Sequence, residues 1–173
     1  MLETIQRLWR HRWLDERDTR RAIDPELVQG LTRRVHASEQ RHRGEVRLYI
    51  EASLPTSYLL RTGSMHAIVR QRAITLFSKL RVWDTEENNG VLIYLLLAEH
   101  AIEIVADRGL NQHVSADQWQ AMVQHMRSAF VAGDFETGLT QALEEVSALL
   151  VTHFPATQNE RHGNQLPDAP MLR

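Results

Sequence analysis

The chain has 173 residues, 20 Lys+Arg against 22 Asp+Glu, nine His and no Cys, a length that suits one domain with a core of its own. With 43% hydrophobic and 24% charged residues, global disorder and a membrane bundle are both excluded. A net charge of -2 speaks against general nucleic-acid binding, and the lack of Cys removes disulfides, thiolate zinc sites and thiol nucleophiles.

Residues 1–23 read as an amphipathic helical extension. Ile5, Leu8, Trp9 and Trp13 recur near helical spacing between Thr4 and Arg17, and tryptophans so placed want a surface to cover. That surface is the chain's own core or a protein partner docked through Trp9 and Trp13. Charge interrupts this segment every few residues, so it does not read as a secretory signal. Val91 to Ala98 is the longest strongly apolar run and is too short to span a bilayer as a helix. The expectation is a cytoplasmic protein with no transmembrane segment. Residues 1–43 hold ten Arg and seven acidic residues; their interspersion suggests a solvated face with mixed ion pairs more than a phosphate-binding patch.

The next helix is well signalled. Asp24 can cap it, Pro25 suits its first position, and Leu27, Val28, Leu31 and Val35 form one stripe before Arg43-Gly44 ends it. Glu45 to Ala52 alternates, Val46, Leu48 and Ile50 against Arg47, Tyr49 and Glu51, which predicts a strand with one face packed more tightly than the other. Pro55, Gly63 and Ser64 punctuate the stretch after this strand. Ile68, Ala73, Leu76, Phe77 and Leu80 then support a helix ending near Arg81.

After the polar stretch Trp83 to Asn89, the run Val91 to Leu97 is continuously apolar, as a strand covered on both faces would be. Glu99-His100 breaks it, and Ala101 to Val105 forms the second arm of an antiparallel hairpin. Ser115 and Gln118 make a capping-box pattern, with Trp119, Met122, Val123, Met126 and Phe130 facing inward. Gly133 ends that helix and Asp134 starts the last, whose seam is Phe135, Leu139, Leu143, Val146 and Leu150. The order is α-α-β-α-β-β-α-α. A right-handed crossover makes the first two strands parallel. The fold class is therefore α/β (α+β), a small mixed sheet sandwiched by helices. Residues 24–155 form the domain, and 156–173 read as a flexible tail.

Hairpin geometry brings the loop Asp84 to Gly90 and the loop Asp107 to His113 to one edge of the sheet, with Asp117 in the first turn of the following helix. Asp84, Asp107 and Asp117, with Glu86, Glu87 and the amides of Asn88 and Asn89, supply hard oxygen donors suited to Ca²⁺ or Mg²⁺. The competing reading is an ordinary polar rim: Asp84 caps a turn and Asn-Asn-Gly bends the backbone into the strand. No Walker loop, GxGxxG, HExxH or nucleophile elbow accompanies them.

Four segments resemble the TPM family, named for a thylakoid lumen phosphatase-like protein, a photosystem II repair protein and a modulator of levamisole receptors. Gly44 to Glu51 is similar to the family's opening strand and Asn88 to Tyr94 to its D-N-G-V-L-L-x step. Ile102 to Leu110 is similar to its strand ending in G-x-G-L, and Phe130 to Leu139 to its F-x-x-G-D-[YF]-x-x-G-L helix junction. Asn88 stands where the family usually has Asp, and Ala106-Asp107 precedes Arg-Gly-Leu where it has Gly.

The resemblance implies an α/β/α sandwich and a divalent-cation site at an acidic edge. On that basis Asp84, Asn88, Asn89, Asp107 and Asp117 are candidate metal ligands. The first expectation is a binding or interaction module with a weak Ca²⁺ or Mg²⁺ site. The second is a metal-assisted acid phosphatase, with Asp107 helping to hold the cation and Arg108 touching the phosphate oxygens. The third is a structural partner of a membrane-associated complex.

Overall fold

The computed structural model describes Trp9, His11, Leu14 and residues 16–156 and 164–173. Most of the helix expected between Thr4 and Arg17 lies outside the described residues, Trp13 included; Trp9 and His11 are helical. Helix α1 covers Glu16–Ala22 and α2 Pro25–Glu39; strand β1 covers Glu45–Glu51. Two helices come next, α3 (Thr56–Leu59) and α4 (Met65–Lys79), then β2 (Gly90–Leu96) and β3 (Ala101–Ala106). The chain continues through α5 (Arg108–Asn111), α6 (Ala116–Ala132) and α7 (Phe135–His153) to β4 (Met171–Leu172).

The long helices start where capping chemistry puts them. Asp24 accepts the Leu27 amide at 2.8 Å with Pro25 in the first turn. Ser115 and Gln118 form a reciprocal capping box, and Asp134 accepts the Thr137 amide at 3.1 Å. Gly133, at φ 78°, gives the left-handed turn that separates α6 from α7. The short α3 and α5 carry no apolar period, and the sequence pattern does not predict them.

The sheet runs in the order β3-β2-β1-β4. β1 and β2 are parallel, from Glu45 opposite Gly90 to Glu51 opposite Leu96, and β2 and β3 are antiparallel. Val46, Leu48, Ile50, Val91, Ile93 and Leu95 meet α2, α6 and α7 in one core layer. Tyr49, Leu92, Tyr94 and Leu96 meet α3 and α4 in the other. The expected mixed α/β sandwich is present.

Two details depart from expectation. All seven residues of β1 are buried, the polar set included. Arg72 of α4, 4% exposed in its side chain, donates from Nε and Nη2 to the Glu51 carboxylate at 2.9 and 2.6 Å, and Tyr94 Oη donates to the same group at 2.8 Å. A covered face can thus read as polar when its charges are paired inside.

The second departure is the C-terminal segment, expected to be a flexible tail. Residues 164–173 instead lie along the open side of β1, where β4 pairs parallel with Tyr49 and Ile50. Arg47 donates to the carbonyls of Pro167 and Ala169, and Glu45 accepts the amides of Gln165 and Leu166. These contacts are made to main-chain groups, so no side-chain period announces them. At the other margin, Arg70 donates to the Ile104 carbonyl at 2.6 Å.

Removing one partner of the buried pair strands the other's charge. Arg72→Met should lower stability by about 3–5 kcal/mol in urea unfolding.

A polar layer joins α2 to β1. Ser38 Oγ lies 2.8 Å from His42 Nε2 and 2.7 Å from Ser147 Oγ, with all three residues buried. This closed arrangement ties α2 to α7 and offers no accessible nucleophile. Burial, opposed by the Gly44 carbonyl and aided by the charge of Arg41, holds His42 down to about 4. Burial, opposed by the Val46 amide and aided by Glu45 and Asp168, pushes Glu39 up to about 8.

These shifts have opposite consequences. Folded Glu39 keeps a proton that the unfolded chain gives up near 4.5, so its contribution is full below pH 4.5 and lost as pH rises through 8. Folded His42 resists a proton that the unfolded chain takes up near 6.5, so its contribution is full above pH 6.5 and lost as pH falls through 4. Glu39→Gln should flatten the decline in stability between pH 4.5 and 8, measured by urea melts across pH, and leave the acid limb caused by His42 in place.

Candidate functional site

The antiparallel ladder ends with Val91 opposite Ala106, and one further bond, from the Asp107 amide to the Gly90 carbonyl at 2.9 Å, extends it into the loops. The Gly109 amide then donates to the Asn88 carbonyl at 2.9 Å. The loops expected to converge at one tip of the sheet do so. Two glycines permit the approach. A Cβ on Gly90 would lie 1.9 Å from the Val82 carbonyl oxygen, and one on Gly109 would lie 2.5 and 2.6 Å from the carbonyl oxygens of Asn88 and Glu87.

Within this tip the candidate residues have different duties. Asn88 sits at φ 53°, a left-handed conformation that Asn tolerates, and its Oδ1 accepts from Arg108 Nε at 3.0 Å and Nη2 at 2.8 Å. Asn89 is buried; its Nδ2 donates to the Arg43 carbonyl and its amide to Thr85 Oγ1, each at 3.0 Å. Its amide group therefore fastens the loop to the bend preceding β1.

Asp107 is 9% exposed and caps α5 through Oδ1, which accepts the Arg108 amide at 2.7 Å; its Oδ2 is buried with no hydrogen-bond partner. Asp84 forms an ion pair with Arg81, and Asp117 is exposed in the first turn of α6. Glu87 is paired with Arg43, whose Nε also donates to the Pro155 carbonyl at 3.2 Å.

Arg43, which the sequence marks only as a helix end, also stands at this end, with Thr85 and a histidine pair that no sequence pattern singles out. His113 stacks on His153 with ring centroids 4.6 Å apart, and the Phe154 ring stands edge-on to His113 at 6.1 Å. Arg43 carried a signal, since it adjoins the Gly44 bend. The histidines carried none, because their meeting depends on how α7 ends beside the loop.

Among the described residues no group of three or more His, Cys, Asp or Glu is placed to hold a metal ion. The donors do not form a closed cage. The one oxygen among them that is buried without a partner is Asp107 Oδ2.

The fold and its tip define a class of protein, a single mixed α/β/α domain with its polar loops gathered at one sheet end. The family model described as the TPM domain matches residues 17–149. The chain belongs to the TPM domain family. Among solved structures it is similar to the BA42 protein of the psychrophilic bacterium Bizionia argentinensis, determined by NMR, at 25% identity and a TM-score of 0.70, over 84% of this chain and 92% of that one. It also shares its fold with the N-terminal domain of a P. gingivalis protein, at 15% identity and a TM-score of 0.56, over 81% of this chain and 82% of that one. No curated protein matches it. No helix among the described residues is long and apolar enough to cross a membrane.

Gly109→Ala tests the meeting of the loops. Its added methyl meets backbone atoms that cannot swing aside, so urea unfolding should show a loss of about 1–3 kcal/mol.

Proposed function

We propose that this chain is a TPM-type binding module that presents the tip of its sheet to ligands and takes a hydrated Ca²⁺ or Mg²⁺ weakly at Asp107. The buried Asp107 Oδ2, without a partner, carries this reading. Leaving such an oxygen unsatisfied costs about 1–3 kcal/mol, and more for a charged group, which a cation would recover once the loop pair moves enough to expose it. The weakness stems from the surroundings: Asn88 Oδ1 is held by Arg108, Glu87 by Arg43 and Asp84 by Arg81.

A phosphatase would need several carboxylates around one ion and an arginine ready for phosphate oxygens. Here Asp117 is exposed, Asp84 is in an ion pair and Arg108 is engaged with Asn88. Binding is therefore the better supported role. A protein-docking role for the N-terminal segment is favoured separately by Trp9, which is 64% exposed.

Calorimetry with CaCl₂ and MgCl₂ on the purified chain should give a Kd on the order of millimolar, and the melting temperature should rise with cation because only the folded form binds it well. Asp107→Asn should remove both effects. An unchanged melting curve at millimolar cation would contradict the reading.

A further inference from the structure

We infer that the outer face of the α3–α4 layer is a docking surface for an anionic lipid bilayer. Residues 52–83 hold five basic residues and no acidic one, while the rest of the chain holds 15 basic and 22 acidic residues. This acid-free run builds one side of the sandwich, with Ile68, Val69, Ala73 and Leu76 of α4 turned onto the sheet. A chain with a net charge of -2 thus gathers positive charge on one side.

The same side exposes large apolar groups. Leu60 is 61% exposed, Ile74 49% and Trp83 46%, half of the exposed large hydrophobics among the described residues. They adjoin one another. α4 turns Ala67, Gln71, Ile74 and Ser78 to solvent, a stripe without charge. Trp83 Nε1 donates to the Ser78 carbonyl at 3.3 Å, which lays the indole against the last turn of that helix. On the other flank Tyr58 Oη donates to Thr75 Oγ1 at 2.8 Å and Arg61 to Gln71 at 2.9 Å, so the end of α3, with Leu60, lies beside the stripe.

Of the five cations, Arg72 is buried on Glu51, and Arg70 and Arg81 each face one carboxylate, of Glu103 and Asp84. Lys79, the only lysine of the chain, is exposed next to Ser78. Glu51 and Glu103 are buried beneath the layer, and the next acids in the chain, Asp84 and Glu86, come only after Trp83.

This pattern selects among occupants. The phosphates of a nucleic acid would answer the arginines but not Leu60 and Ile74. Protein surfaces and their partners intersperse both signs, whereas a headgroup plane repels a carboxylate anywhere under it, and the whole run lacks one. A bilayer accepts aliphatic tips and an indole at headgroup depth, with the stems of Arg and Lys lying along apolar surface and their charged ends among the phosphates.

The experiment sediments the full chain with vesicles of phosphatidylcholine alone, or of equal parts phosphatidylcholine and phosphatidylglycerol. EDTA is present, so no divalent ion bridges the tip to the headgroups and the reading of Asp107 is not at stake. The wild type should sediment with the anionic vesicles and stay in solution with the neutral ones, and salt should weaken the binding. Lys79→Gln should weaken it about fivefold and Ile74→Asp at least about tenfold. Both sites are exposed, and urea melts verify each fold. Val131→Asp, at an exposed apolar site on α6 across the sheet, should leave binding unchanged.

No binding to the anionic vesicles overturns the inference, as does binding indifferent to lipid charge. Binding that survives both Lys79→Gln and Ile74→Asp, or that Val131→Asp weakens equally, places the contact elsewhere and overturns it. A dimer seen by light scattering that Ile74→Asp separates puts a second copy on this face and overturns it too.

Discussion

The geometry of the tip hangs on the antiparallel pairing of β2 with β3 and its last rung, the Asp107 amide on the Gly90 carbonyl. Because β2 is also parallel to β1, the starts of both strands and the end of β3 must share one end of the sheet. That requirement brings Arg43, Asn88, Asn89, Asp107 and Arg108 together although their numbering spans much of the chain. Gly90 and Gly109 let the backbones close to a distance at which any side chain would collide with a carbonyl. Position at the tip is thus set by main-chain pairing and fastened by the Asn89 side chain, and the remaining side chains determine what the tip offers.

What it offers is a neutralised surface. Arginines 43, 81 and 108 each answer an acidic or amide oxygen of the first loop, and Asp107 is left with one oxygen unanswered. Membership of the TPM family sets the scaffold, whereas local charge pairing decides the chemistry available. Oxygen-rich loops alone are poor evidence of a metal centre, because arginines arriving from neighbouring segments take up the same lone pairs.

The main elements were legible because apolar period and caps coincide. Asp24-Pro25, Ser115 with Gln118, and Gly133-Asp134 mark helix ends by local hydrogen bonding, and the apolar run from Val91 has the character of a strand buried on both sides. The convergence of two loops also followed from the hairpin. Side-chain allegiance did not: Asn89 holds the bend before β1, and the partner of Glu87 is Arg43, 44 residues away. Likewise the alternation of β1 suggested one loosely covered face, where the structure buries Glu51 against Arg72 and Arg47 against carbonyls. Long-range pairing of charges leaves no period to read.

The C-terminal segment alters how this sheet meets its surroundings. A strand margin with free amides and carbonyls is a template for further strands, and proteins that stay dispersed shield it. Residues 171–172 occupy that template on β1, with Arg47 and Glu45 gripping the approach, while Arg70 blocks a carbonyl on the opposite margin. The segment therefore acts as a selvedge, finishing the woven edge so that neighbouring molecules cannot be stitched on. Without residues 164–173, β1 would become the border of the sheet and lie open to runaway stacking.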